Sequence, residues 1–135
     1  MGVLIDSSVL IGYERGRIDL NEGLAGLEEQ DLFISVITVS ELLHGVHRAR
    51  DAKIRAFRSA FVEAIFESLP ILQIDFSTAR IHAQLWADLA SSGQLIGPHD
   101  LWLAASAVAH GLTLVTANVR EFQRVPGLPV KSWSR

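Results

Sequence analysis

Four short apolar runs punctuate this 135-residue chain: Val3-Leu4-Ile5, Phe33-Ile34-Ser35-Val36, Ile71-Leu72-Gln73-Ile74 and Leu112-Thr113-Leu114-Val115-Thr116. Runs this short, rich in Val, Ile and Leu, are the mark of strands buried on both faces. Helical patterns lie between them. Ser7-Ser8 can start a helix directly after the first run. From Thr38, apolar residues fall at Val39, Leu42, Leu43 and Val46, the spacing of one helix face. Asp51 to about Ser68 predicts a long helix closed by Pro70, and Ser77 to Ser91 predicts another stopped by Gly93. Pro98 stands just inside the start of a further helix, where its missing N–H costs nothing, and Gly111 ends it. That helix is apolar on nearly every side, which makes it central. A weak last strand is expected at Val130, and residues 19–31, acidic with two glycines, are expected as solvated loop and short helix. Strands alternating with helices imply a three-layer α/β sandwich, with a central, mostly parallel sheet flanked by helices. The length predicts one domain over residues 1–135.

Composition excludes several classes. Hydrophobic residues make up 49% of the chain and charged residues 20%, enough to build a core and too apolar for intrinsic disorder. The net charge of -3 argues against coating nucleic acid by bulk charge. The chain has no cysteine, so disulfide frameworks, thiol nucleophiles, iron–sulfur clusters and cysteine-ligated zinc are all excluded. Residues 1–10 lack a basic region and meet Asp6 early, unlike a signal peptide, and Asp6 stands where a myristoylation motif needs Ser or Thr. The longest apolar stretch, Leu101 to Ala117, is interrupted by His110-Gly111 and is too short to span a bilayer. A soluble, cytoplasmic protein with no membrane partner is the expectation.

The informative carboxylates are embedded in apolar sequence. Asp6 lies between Val-Leu-Ile and Ser-Ser-Val-Leu-Ile, Glu41 within Val-Ile-Thr-Val-Ser-Glu-Leu-Leu, and Asp100 between Gly-Pro-His and Leu-Trp-Leu-Ala-Ala. A buried carboxylate needs a cation, a proton or several donors. No Lys or Arg is closer than seven positions to Asp6 or Glu41. Asp6 falls at the end of the first strand and Asn118 two residues beyond Thr116 at the end of the fourth, the edge where open α/β sheets carry their sites. Asp100 heads a helix, and Glu41 lies opposite its helix's apolar stripe, on a face with Thr38 and Gly45. Such a set offers only hard oxygen ligands, suited to Mg²⁺ or Mn²⁺ and not to zinc. Each residue also has an ordinary explanation. Asp6 can be a helix cap, Asp100 an acid at a positive helix end, Glu41 a solvated side chain and Asn118 a turn residue.

The segments Leu-Ile-Asp6-Ser-Ser-Val-Leu-Ile, Ser40-Glu41-Leu-Leu-His-Gly45, Ile96-Gly-Pro-His-Asp100-Leu-Trp-Leu-Ala-Ala and Thr116-Ala-Asn118-Val-Arg-Glu-Phe122 together resemble the PIN-domain ribonucleases. Within these the chain is most similar to the VapC-type toxins of toxin–antitoxin pairs. The likeness covers nearly the whole chain, in order. It implies a PIN-like fold and metal-dependent cleavage of RNA. It maps the family's acidic quartet onto Asp6, Glu41, Asp100 and the Asn118 position, with Thr116 and Ser7 as supporting hydroxyls. Asp6, Asp100 and Glu41 are then the metal ligands, Glu41 alternatively orienting a water. Asn118 departs from members carrying Asp there, and a neutral ligand donates less charge to a second ion. The resemblance further implies a homodimer and a small cognate antitoxin. The alternative, a PIN nuclease of RNA processing, keeps the fold and site and discards the toxin role and its antitoxin.

Substrate grip needs positive charge. Arg48, Arg50, Lys53, Arg55 and Arg58 place five of the 12 basic residues close together, with Asp51 the one acid among them. They are candidates for RNA phosphate contact or an ordinary solvated helix face. His44 and His47 can stack on bases or merely cover the helix, and their spacing makes a weak zinc site. Arg15 and Arg17 are a weaker basic candidate. Trp102 is expected in the core, and Trp86 in the core or an interface. A phospho-acceptor receiver also places an Asp and a Thr at strand ends. It needs paired acids after its first strand and a Lys after its last core strand, whereas Asp6 is followed by Ser7-Ser8 and the next Lys beyond Thr116 is Lys131. Phosphatases with an Asp nucleophile want a second Asp where Ser8 stands.

Overall fold

In the computed structural model, which describes residues 2–14 and 30–132, the first apolar run forms β1 (Gly2–Ile5) and leads through Asp6 into α1 (Ser7–Glu14). Then follow β2 (Asp31–Ser35), α2 (Val36–Arg48), α3 (Ala52–Ser68) and β3 (Ile71–Leu72). The second half adds α4 (Phe76–Ser91), α5 (Pro98–His110), β4 (Thr113–Thr116), α6 (Val119–Phe122) and β5 (Val130–Ser132). The five strands make one sheet in the order β3-β2-β1-β4-β5, every neighbouring pair parallel.

Strand periodicity sorts the core into two layers. Leu4 pairs with Leu114 and points to one face, where Leu85, Leu89, Leu101, Leu103, Ala104 and Phe122 of α4, α5 and α6 pack. Its neighbours Val3 and Ile5 point to the other face, with Val115, Ile34 and the α1–α3 residues Val9, Leu10, Leu42, Val46 and Val62. Helices on both faces of a parallel sheet give the three-layer sandwich that the alternation predicts. The central helix is α5, in which Leu101, Leu103, Ala104, Ala105, Ser106 and Ala107 are all buried. Its Gly111 cap adopts the left-handed conformation at φ 65°, which explains the glycine there. Trp102 stacks on His82 of α4, ring centroids 3.5 Å apart, and burial holds that imidazole below its ordinary pKa. Trp86 is exposed, and no helix among the described residues is long and apolar enough to cross a membrane.

Several boundaries depart from the sequence expectation, each for a local reason. Helix α2 starts at Val36 rather than Thr38, because Ser35 caps it by accepting from the Ile37 N–H at 3.0 Å. Strand β3 spans two residues rather than four, since Asp75 already caps α4 by accepting from the Thr78 N–H at 2.8 Å. Thr38, three residues before Glu41 on the same helix, is wholly buried. The helix and loop expected over 19–31 fall outside the described residues up to 29, as do Arg15, Arg17 and Trp133; Asp31 itself opens β2.

Candidate active site

The strand order reverses between β1 and β4, and ligands of open parallel sheets sit in the crevice outside the strand ends at such a reversal. Asp6 is the first residue past β1, and its N–H donates to Val115 O of β4 at 2.9 Å. The carboxylate is buried, 5% exposed, at the N-terminal end of α1. Its Oδ2 accepts from Ser8 Oγ and from Thr116 Oγ1, each at 2.8 Å. These hydroxyls are themselves anchored. Ser8 Oγ accepts from the Ala117 N–H at 3.0 Å, and Thr116 Oγ1 accepts from the Asn118 N–H at 2.9 Å. Thr116 thus bonds Asp6 directly across the β1–β4 edge. Ser8 makes the short bond to Asp6, while Ser7 Oγ lies 3.3 Å from Glu41 Oε1 and 3.5 Å from Asp6 Oδ1.

Glu41 reaches this point from the middle of α2. Burial, then the charge of Asp6, pushes its pKa up, against the partial relief of His99 and Ser7. His99 Nδ1 stands 3.8 Å from Glu41 Oε2. Asp100, in the first turn of α5, is pushed from the ordinary 3.8 to about 7 by burial and by the charges of Glu121, Asp6 and Glu41, and donates a hydrogen bond to Glu121. The three acids singled out in the sequence thus converge on one crevice.

A fourth carboxylate converges with them, and it is not at the Asn118 position. Glu121 Oε1 accepts from the Gly97 N–H at 3.0 Å, and Asn118 Nδ2 donates to Glu121 Oε2 at 2.8 Å. The Gly97 N–H, followed by Asn118, Asp100 and the Arg124 charge, holds Glu121 below the usual carboxylate range. Asn118 acts here as the residue that orients Glu121. The signal was present in sequence as an Asn-x-x-Glu spacing on a short helix directly after the β4 edge, since residues three apart share a helix face.

Mutual repulsion of this kind is relieved by a cation. Among the described residues no three His, Asp or Glu side chains are placed so that they could together hold a metal ion. The donor chemistry nonetheless fits a hard divalent ion: Asp6, Glu41, Asp100 and Glu121 offer carboxylate oxygens, and no Lys or Arg bonds to Asp6, Glu41 or Asp100 among the described residues.

The basic cluster divides. Arg55 donates to Ala49 O at 2.6 and 3.0 Å, bracing the α2–α3 junction, and Arg58 pairs with Glu14 at 3.1 Å. Arg48, Arg50 and Lys53 are exposed, with no side-chain partner among the described residues. Of these, Arg48 lines the same small hollow as Glu41, next to the acids.

Comparison with known proteins agrees with this geometry. The PIN domain family model matches residues 3–128. Ribonuclease VapC1 of Rickettsia felis is 35% identical over 130 residues, 96% of this chain and 95% of that protein. The tRNA(fMet)-specific endonuclease VapC of Shigella flexneri is 34% identical over 120 residues, 89% of this chain and 83% of its own. Among solved structures, DNA-bound VapBC from Salmonella typhimurium superposes with a TM-score of 0.88 at 29% identity, covering 98% of each chain. VapBC-5 from Mycobacterium tuberculosis does so with a TM-score of 0.78 at 31% identity, covering 99% of this chain and 98% of that one.

Proposed function

The chain belongs to the PIN-domain family, in its VapC-type group, and on that footing we propose that it is a metal-dependent endoribonuclease and the toxin of a toxin–antitoxin pair. The observation that carries this is the site's uncompensated charge. Asp100 is raised to about 7, first by burial and then by the charges of Glu121, Asp6 and Glu41, which share its crevice at the sheet's reversal. Asp6, Asp100 and Glu41 would hold Mg²⁺ or Mn²⁺, with Glu121 beside them. The ion would supply a bound water of lowered pKa and offset charge on the phosphate under attack. The chain's own part is to place the oxygens. Ser8 and Thr116 fix Asp6 through Oδ2 and leave Oδ1 toward Ser7 and Glu41. Glu41, raised by its burial, is suited to orient a water and take its proton, and Asn118 and Gly97 hold Glu121 in register. Arg48 supplies positive charge for the RNA backbone beside the acids.

A small cognate antitoxin and a second copy of the chain complete the proposal. Both need apolar surface. Ile54 and Phe57 are 50% and 64% exposed on α3, and a groove of about 380 Å³ runs along Leu10, Tyr13, Phe61 and Ile65. Trp86 and Leu95 are exposed on the opposite layer. The test is cleavage of single-stranded RNA by purified protein. Activity should require Mg²⁺ or Mn²⁺, stop with chelator and disappear in Asp6→Asn and Asp100→Asn. Cleavage retained in both variants would overturn the site, and the lack of any small co-purifying protein from the native host would favour an RNA-processing nuclease.

A further inference from the structure

Glu41 and His44 line both of two adjoining hollows at the acidic crevice. The smaller, of about 90 Å³, also holds Arg48 and Arg58. The larger, of about 450 Å³, is walled by Ser7, Ile11, Ser40, Glu41, His44 and His99. We propose that the larger hollow is a nucleobase site, taking the unpaired base beside the cleaved phosphate against the imidazole faces of His44 and His99. The proposal rests on the ribonuclease assignment and adds which part of an RNA meets which wall.

The two rings come from separate helices and bracket one carboxylate. His44 is three residues beyond Glu41 on α2, and His99 precedes Asp100 on α5 with Nδ1 3.8 Å from Glu41 Oε2. Of the other three histidines, His82 is buried against Trp102 and His110 bonds Ser106 O at 2.9 Å, whereas His47 is exposed with no partner among the described residues and does not line this hollow. His44 is exposed and has no partner among the described residues. The size lies within the ~300–1,000 Å³ of small-ligand sites. Charge decides the occupant. The wall carries no Lys or Arg to hold a phosphate, and its Glu41 carboxylate is one of those proposed to hold the ion, so what remains for an occupant is two imidazoles, an isoleucine and two hydroxyls. Phosphate instead suits the adjoining hollow with Arg48. Ile11 offers an apolar contact, and the Ser7 and Ser40 hydroxyls can bond a base edge. Imidazole stacking is tolerant of base identity but requires the base to be unstacked from its own helix, so the substrate is a single strand or loop.

The test uses a ten-nucleotide RNA with a central 2-aminopurine, titrated against full-length Asp100→Asn protein, which is expected to hold RNA without cutting it. Stacking quenches the fluorophore. Adding His44→Ala or His99→Ala to that background should weaken binding about tenfold and remove most of the quench. His44→Phe and His99→Phe should keep both, because they keep a stacking face. Both positions are exposed, and unchanged thermal unfolding confirms that each variant folds. Quench and affinity unchanged in the alanine variants would overturn the proposal, as would phenylalanine failing like alanine. Cleavage by the wild-type protein with Mn²⁺ is scored separately. A protein that quenches but does not cut refutes the nuclease assignment and keeps the base site; one that cuts without quenching refutes the base site alone.

Discussion

Replacing Asp100 by Asn should stabilise the metal-free protein while abolishing its activity. The carboxyl is raised from 3.8 to about 7 in the fold. The folded state therefore binds more protons than the unfolded chain between those values, and stability falls as pH rises through that window. Above pH 7 the whole cost is present; below pH 4 none of it is. At ~1.4 kcal/mol per pH unit the shift corresponds to about 4 kcal/mol. Asp100 is half-exposed, however, and water screening reduces this to about 1–2 kcal/mol. Asn removes the charge and keeps a donor for Glu121. Thermal unfolding in chelator at pH 8 should then show the variant melting about 3–6 °C higher, at a few degrees per kcal/mol for a chain this long. Near pH 4 the difference should vanish. Adding Mg²⁺ should raise the wild-type midpoint, by binding the native state alone, and leave the variant nearly unmoved. A variant that is less stable at pH 8, or equally stabilised at both pH values, would refute the claim that burial and the neighbouring carboxylates raise Asp100.

Glu121→Gln should cut cleavage more deeply than Asn118→Ala, because Asn118 works through Glu121; initial rates at saturating RNA decide this, and the reverse order would return Asn118 to the quartet. Thr116→Val removes a donor to Asp6 and should cost about 1–2 kcal/mol of unfolding free energy and about 10–100-fold in Mn²⁺ affinity, measured by denaturant unfolding and metal titration. Arg48→Ala should weaken RNA binding and flatten its salt dependence by about one counterion while leaving stability unchanged. Arg55→Ala should lower the melting temperature and leave the salt slope alone, because its guanidinium is spent on the Ala49 carbonyl.

What the sequence disclosed follows the range of the forces involved. Asp6, Glu41, Asp100 and Thr116 stand inside or at the ends of apolar runs, so their placement at a buried edge follows from local pattern. The parallel sheet was legible for the same reason. Ser35 and Asp75 were hidden because a cap acts through one side chain against an otherwise apolar or mixed segment, which periodicity does not register. Glu121 was legible only in part: its spacing from Asn118 is local, but the Gly97 amide that fixes it is 24 residues away and reached only through the fold. Arg55 and Arg58 show the same limit from the other side. Sequence clustering placed five cations together, and tertiary contacts with Ala49 and Glu14 then committed two of them to structure.

The central claim is that these carboxylates hold a divalent ion that activates water against RNA. Chelator-stripped protein, a defined single-stranded RNA and added Mn²⁺ test it directly, with the ends of the products as the readout. Water as nucleophile predicts no cutting before the metal is added, and afterwards fragments bearing a 5′-phosphate and a 3′-hydroxyl. Metal-independent cutting, or fragments ending in a 2′,3′-cyclic phosphate, would contradict it, because the RNA's own 2′-hydroxyl would then be the nucleophile.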